Sequence, residues 1–399
     1  MGSPQSAYPV VHVTGTNGKG STTRLVGSLL QAEGVRAGCY TSPHLEQVNE
    51  RLAIADEPIP DAELAAQLGA LAELERFLGI KPTWFELVTA AAFRWFSDEA
   101  VEAAVVEVGL GGRYDATNVA DGSVALVTNV ELDHTEILGS SRESIAAEKA
   151  GIVKAGSVLV LGEDDPEIAR IFEDEAGKAG AAAVWRRGED FAAENVRVAV
   201  GGRVADLWTP AGRYDDVFIA LRGEHQVENA AVALAGVQAF LGDVLPDDVV
   251  REAFGAVRVP GRLEVVRRHP TVVLDGAHNA AGAAAAGRAL AEDFEGPERI
   301  VVVMGTLRNR EAGDLLTGLT SDRISTVVAC TPPSPRAQPA SAVLEAASAL
   351  GLRAEDGGEV ADAVARAIQI AGRDDLVLVT GSLYVVGAAR TWLRQQSAT

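Results

Sequence analysis

Short apolar runs and longer stretches of helical periodicity alternate along most of this chain. Residues 10–13, 36–40, 103–108, 124–128, 157–161 and 182–185 are runs of mostly small or branched apolar residues, which marks them as buried strands. Between them, residues 21–33, 61–78, 85–96, 141–150 and 167–177 bring apolar side chains back at helical spacing, and Gly34 stops the first of these helices. Residues 45–60 read as extended and polar. Residues 186–221 hold short alternating runs with turn glycines at Gly201-Gly202, a small antiparallel patch, and an alanine-rich helix follows over 225–241. The segment 257–262 breaks the pattern at Pro260-Gly261 and reads as a linker. Strands then recur near 272–274, 300–304, 326–330 and 376–380, with helices near 280–293, 339–350, 359–371 and 383–395. The pattern predicts an α/β protein with a parallel-sheet domain over 1–260, carrying the antiparallel patch, and a Rossmann-like α/β domain over 261–399.

The polar residues that interrupt this pattern gather just after strands, where open α/β sheets place ligands. The first group is Thr14-Gly15-Thr16-Asn17-Gly18-Lys19-Gly20-Ser21-Thr22. Its glycines free backbone N–H groups to wrap an anion, the following helix offers a positive N-terminus, and Lys19 adds a full charge. Ser21 or Thr22 can hold a magnesium ion that bridges phosphates. The spacing is two residues shorter than G-x-x-x-x-G-K-[ST] and has an extra glycine, Gly20, after the lysine. These features make the first domain a P-loop-type, nucleotide-binding domain, a reading shared by kinases, GTPases and transporters.

Ser42 and His44 follow the second strand; ligand contact and plain Ser-Pro turn chemistry are about even there. Glu107 is a carboxylate inside an apolar strand, which burial penalises unless it is paired or on a metal, and the metal reading is favoured. The glycine-rich loop after it implies that something approaches its backbone closely, with Asp115 and Asn118 as polar readers. His134 beside Asp133 is a second candidate ligand against the alternative of a capped loop histidine. Lys149 ends a helix, where a cation suits the C-terminal dipole in any case. Asn229 lies in the polar first turn of the 225–241 helix and can cap it or touch a purine. Arg262 in the linker and the cluster Asp275-Gly-Ala-His278 are expected to face the phosphate loop across a cleft.

Charge and composition narrow the partners. A formal charge of −21 over 399 residues leaves no broad basic face for nucleic acid or an anionic membrane. No apolar run approaches the ~20 residues of a membrane span, and two cysteines are too few for a disulfide framework, so a cytoplasmic protein is expected. Only five lysines occur, against 35 basic residues in all, so each retained amine is a candidate for chemistry that arginine cannot do.

Seven motifs in register now stand together: Thr14–Ser21, Thr41-Ser-Pro-His44, Glu107-Val-Gly-Leu-Gly-Gly-Arg113, Asp115-Ala116-Thr-Asn118, Asp133-His134, Glu148-Lys-Ala-Gly-Ile152 and Asp275-Gly-Ala-His-Asn279. The series resembles the folylpolyglutamate synthase and dihydrofolate synthase family of the Mur ligase superfamily. The resemblance implies that the first domain is a P-loop-type ATPase domain. It implies ATP-dependent amide formation between dihydropteroate or a folate and L-glutamate through an acyl phosphate, by a monomer. It implies that Thr16, Asn17, Gly18, Lys19, Gly20, Ser21 and Thr22 bind ATP with a first magnesium on Ser21. Ser42, Glu107 and His134 match the ligands of a second metal. Asn229 matches an adenine contact, Arg262 a γ-phosphate contact, and Asp275 and His278 complete the nucleotide side. Asp115, with Ala116 and His44 near it, matches the pterin side. Lys149 matches a lysine carbamylated in the superfamily, and Lys19, Lys149, His134 and Arg262 form the implied catalytic set.

Two departures accompany the match. The first strand begins about ten residues in, where relatives carry a helical segment before it, and Asn309-Arg310-Glu311 stands where the family has Asp-Lys-Asp. Two other readings stay open: a Mur-type ligase with a different carboxylate substrate, and a nucleotide-binding paralogue without catalysis. Retention of Lys19, Glu107, His134 and Lys149 together speaks against the second.

Overall fold

The computed structural model describes residues 1–319 and 322–397. It divides into two units: one takes Met1–Arg197, Arg203–Ala220 and His225–Arg258, the other Val198–Gly202, Leu221–Glu224 and the chain from Val259 onward. Among the described residues no helix is long and apolar enough to cross a membrane.

The first unit is built on the strands β1 (Val10–Thr14), β2 (Ala37–Tyr40), β3 (Leu52–Ile54), β4 (Glu57–Pro58), β5 (Ala103–Glu107), β6 (Gly122–Val127), β7 (Val158–Leu161) and β8 (Ala183–Arg186). They form one sheet in the order β4-β3-β2-β5-β1-β6-β7-β8. From β2 to β8 every pairing is parallel, and β3 and β4 add an antiparallel edge. That edge agrees with the reading of 45–60 as extended and corrects the reading of it as polar, because Leu52, Ala53 and Ile54 are buried in it. Parallel strands covered on both faces carry near-continuous apolar runs, and β1 and β5 are buried throughout. Helices Trp84–Asp98 and Asp61–Leu78 pack on one side through Val88, Phe93, Phe96 and Leu71. Helices Arg142–Lys149 and Pro166–Ala179 contribute Ile145, Ile168 and Phe172 to a second cluster with Val127 and Leu161. A separate three-stranded sheet holds β9 (Ala192–Ala199), β10 (Gly202–Thr209) and β11 (Gly212–Ile219), with β10 and β11 antiparallel.

The second unit holds β12 (Glu264–Arg268), β13 (Thr271–Leu274), β14 (Ile300–Met304), β15 (Ile324–Thr331), β16 (Ala354–Glu359) and β17 (Leu376–Thr380), in the order β12-β13-β17-β14-β15-β16. Only β12 runs antiparallel to its neighbour. Helices Ala280–Asp293, Ala312–Gly318 and Ala340–Ala349 bury Leu290, Leu315 and Val343 against Val302, Met304 and Val327. The phosphate loop, Ser42, Glu107 and Asp275 lie at the carboxyl ends of parallel strands, whereas Lys149 and Asn229 are on helices and Arg262 precedes β12.

Candidate active site

Strand β1 delivers the chain into the phosphate loop, and the helix Lys19–Ala32 takes it away with Gly18 at its N-cap. Gly18 has φ 84, a left-handed conformation that suits glycine. A Cβ there would also stand 2.5 Å from the Asn229 side-chain oxygen, so Asn229 packs directly on the loop. The loop is tied from outside itself by the end of β6. Thr16 N donates to Asn129 O at 2.8 Å, Asn17 N to Asn129 Oδ1 at 3.0 Å, Glu131 N to Thr16 Oγ1 at 2.9 Å, and Thr128 Oγ1 to Asn17 O at 2.6 Å. Thr128, Asn129 and Glu131 were not singled out from the sequence, although their place after a parallel strand was the available signal.

Two amines meet on the same loop. Lys19 Nζ donates to the carbonyls of Gly15 and Thr16, each at 3.0 Å, and Lys149 Nζ donates to Gly15 O at 2.7 Å. Lys149 is only 3% exposed. Burial, and next the charge of Lys19, hold its pKa well below the ordinary lysine value.

Glu107 lies opposite Val13 in the β1–β5 register, immediately before the loop, and is buried. Its Oε2 accepts from Ser42 N at 2.8 Å, and a Cβ on Gly20 would stand 3.4 Å from the same oxygen. The carboxylate therefore sits between the start of the first helix and the loop after β2. Next to Gly20 in sequence, Ser21 Oγ and Thr22 Oγ1 are buried with no hydrogen-bond partner in the protein. Orphaned hydroxyls in the helix turn that approaches a carboxylate suit a hard, oxygen-seeking cation such as magnesium, which keeps water and phosphate ligands. Among the described residues no group of three or more His, Cys, Asp or Glu forms a closed metal cage. Ser42 and Glu107 are thus brought together. His134 lies at the start of the short helix Thr135–Leu138, with φ 49, and its Nε2 is 3.8 Å from Asp133 Oδ1.

The glycine-rich loop after β5 has a structural explanation in addition to any ligand. A Cβ on Gly112 would stand 2.8 Å from the carbonyls of Glu148 and Lys149, so the end of the Lys149 helix itself makes the close approach. Arg113 N donates to Glu148 O at 2.9 Å in the same contact. Asp115 caps the 3-10 turn Ala116–Val119: Oδ1 accepts from Thr117 N at 3.0 Å and Thr117 Oγ1 at 2.6 Å, and Oδ2 accepts from Leu110 N at 2.9 Å. Asn118 Nδ2 bonds Arg113 O and Gly151 O, which ties the loop to the same helix end. His44 Nδ1 accepts from Arg51 Nε at 3.0 Å, and burial followed by the Arg51 charge lowers its pKa. His44 is accordingly a neutral side chain fixed by a cation.

The second unit gathers its own group. Asp275 is buried after β13, with Oδ2 accepting from Leu263 N and Oδ1 from Ala277 N, both at 3.0 Å. Burial raises its pKa, and Arg262 opposes that rise. A Cβ on Gly276 would collide with Arg262 Nη1, so the guanidinium rests against that backbone. His278 Nδ1 is 2.9 Å from Gly276 O.

Fold and site together define a class, the ATP-dependent Mur ligases. The Mur ligase middle domain matches residues 73–237, and the Mur ligase glutamate ligase domain matches 261–383. The dihydrofolate synthase/folylpolyglutamate synthase of Mycobacterium tuberculosis is 38% identical over 98% of this chain and 87% of that protein. An Escherichia coli FolC structure in complex with DHPP and ADP superposes with TM-score 0.88 at 31% identity, covering 99% of this chain and 91% of that one. The bifunctional enzyme of Yersinia pestis complexed with AMPPNP and Mn ion gives TM-score 0.87 at 32% identity, covering 98% and 90%. The chain belongs to the folylpolyglutamate synthase/dihydrofolate synthase family and is an ATP-dependent ligase.

Proposed function

We propose that this chain joins the carboxylate of dihydropteroate to the amino group of L-glutamate, with reduced folates as further substrates. The observation that supports this reading most is the convergence of Lys19, Lys149 and Glu107 on one phosphate loop, in a chain similar to folate ligases through nearly its whole length. Residues 1–260 serve as the ATP-binding central domain and 261–399 as the glutamate-ligase domain.

Phosphoryl transfer needs positioning and charge neutralisation more than covalent help from the protein. Lys19 and the N–H groups of residues 16–22 hold the phosphates while the substrate carboxylate takes the γ-phosphoryl group, releasing ADP. Ser21 would hold one magnesium ion, and Ser42, Glu107 and His134 would hold another; such ions would supply charge neutralisation for the phosphate oxygens. The glutamate amine then attacks the acyl carbon, loses a proton, and phosphate leaves. Asn229 contacts adenine, and Arg262, Asp275 and His278 act on the nucleotide. Asp115 takes an N–H of the pteridine ring, with Ala116 and His44 beside it. A carboxylate offers about four lone-pair sites, and the loop uses three of Asp115's, leaving one on Oδ2.

Lys149 is carbamylated in this reading. Burial lowers the pKa of this amine, so it gives up its proton more readily than an ordinary lysine, and the neutral amine can add to CO2, releasing a proton and leaving an anionic carbamate. A carbonyl signal from labelled CO2 that disappears in Lys149→Ala tests this, and a free amine in fully active protein rejects it. The chain acts as a cytoplasmic monomer, which sedimentation and cell fractionation check.

The deciding assay is magnesium-dependent ADP release with L-glutamate and dihydropteroate, tetrahydrofolate or neither. Stimulation by a pteridine is the expected result. Release that no pteridine stimulates rejects the reading in favour of another carboxylate substrate.

A further inference from the structure

The strand that leads into the phosphate loop carries polar side chains where apolar ones would pack. β1 lies between β5 and β6 in the sheet interior, and all five of its residues are buried. His12 and Thr14 nevertheless share one face of it, two residues apart. Both reach the loop that holds Asp115. Thr14 Oγ1 donates to Gly111 O at 2.8 Å, and His12 Nε2 is 2.9 Å from Thr117 Oγ1.

The neighbours of His12 fix its tautomer. Thr117 has one hydroxyl proton and donates it to Asp115 Oδ1 at 2.6 Å. Toward His12 that hydroxyl can only accept, so Nε2 carries the ring proton. Nδ1 is then the bare nitrogen, and it is buried with no hydrogen-bond partner. Burial, helped by Lys154, pushes the ring pKa down to about 3, which keeps the imidazole neutral and this assignment intact. An unanswered buried acceptor costs about 1–3 kcal/mol. A valine in the same strand would avoid that cost, so stability does not explain the histidine.

We propose that His12 is a positioning residue for the pteridine substrate: its Nε2–H holds the Thr117 hydroxyl, which in turn holds Asp115 as a fixed acceptor for the pteridine ring. The strand that carries the phosphate loop thereby also sets the pteridine loop. This inference rests on the role proposed for Asp115 above.

The test compares His12→Leu, which removes the donor, with His12→Gln, whose amide N–H reaches to a similar place. KM for dihydropteroate, KM for ATP, kcat and Tm are measured for each, with Asp115→Ala as the reference. His12→Leu is expected to raise the dihydropteroate KM about tenfold, the order of one lost oriented hydrogen bond, and to leave the ATP KM within about twofold. His12→Gln is expected to recover the dihydropteroate KM to within about threefold. An unchanged dihydropteroate KM in His12→Leu overturns the relay. So does a joint rise of both KM values with a lowered Tm that glutamine does not rescue. Should His12→Leu fail to fold, Thr117→Val breaks the same relay from the loop side and carries the same expectation. If wild type responds to dihydropteroate but Asp115→Ala keeps its KM, the role of Asp115 fails and the relay fails with it. If wild type ignores pteridines, the substrate reading itself is at fault.

Discussion

The polar clusters after β1 and after β13 occupy equivalent places in their sheets, yet they are held in different ways. The phosphate loop is secured by partners distant in sequence: Thr128, Asn129 and Glu131 from the end of β6, and Lys149 from a helix more than a hundred residues on. The group after β13 combines ties from its own neighbourhood with ties from the end of β17, where Asp275 N donates to Val379 O at 3.0 Å and Gly381 N to Ala277 O at 3.1 Å. Gly276 N donates to Gly261 O, Asp275 accepts from Leu263 and Ala277, and Glu264 accepts from Gly261 N and is braced by Arg390. The first arrangement is redundant, so deleting one tie leaves others in place. The second is also tied more than once, and what sets it apart is one close approach, that of Arg262 to Gly276.

The contrast can be broken or sharpened by substitution, beginning with the largest effect. Glu107→Ala is expected to lower kcat by about 10³-fold or more while circular dichroism stays native, since charge stabilisation by a metal site is worth several kcal/mol. A lost circular-dichroism signal would instead make Glu107 a folding residue. Gly276→Ala is expected to push Arg262 off its seat and cost about 10²-fold in kcat, the scale of a misplacement near 1 Å. Activity within a few-fold of wild type would mean that the guanidinium adjusts freely.

Lys149 sharpens the comparison through pH. Its folded-state pKa lies below the unfolded value of 10.5, so the unfolded chain binds the extra proton between those two values, and stability rises with pH across that window. Urea titrations of wild type and Lys149→Met in CO2-free buffer are expected to show a wild-type stability that gains relative to the variant as pH rises, by at most about 1.4 kcal/mol per pH unit. Parallel curves would show an amine that titrates normally. The smallest effect belongs to Asn129→Ala, which removes one of several ties and is expected to raise the ATP KM about fivefold, equivalent to roughly 1 kcal/mol. A loss of 10²-fold would show that the ties act as a unit rather than redundantly.

Much of the architecture was legible because burial on both faces writes strong patterns. Residues 61–78, 280–293, 300–304 and 376–380 were read with the bounds the structure has. The elements that escaped have weak local signatures. β16 is Ala-Glu-Asp-Gly-Gly-Glu, a strand only because β15 offers it a partner. Helix Ala312–Gly318 is seven residues long and the strand Leu52–Ile54 three; helix Asp247–Ala256 is the exception, with Val250, Ala253 and Phe254 buried at helical spacing. Within the site, the residues with unusual chemistry for their place, such as Glu107 in an apolar strand, announced themselves. Thr128 and Asn129 did not, because hydroxyls and amides after a strand look like ordinary turn residues until the loop they hold is in view. The loop at 109–113 taught a further lesson: its glycines signalled a close approach, and part of what approaches is the protein's own helix end.

The exposed margins of the two sheets bear on how this chain behaves among other copies of itself. A bare edge strand is a template for pairing with another chain, and charges, proline and bulges discourage that pairing. β4 ends in Glu57-Pro58, β12 carries a register shift beside Arg267 and Arg268, and β16 carries Glu355, Asp356 and Glu359 with a register shift of its own. The fourth border, β8, is only four residues long and ends in Arg186. With a net charge of −21 adding long-range repulsion, the three strands hardest to read from the sequence thus carry features that discourage edge-to-edge pairing.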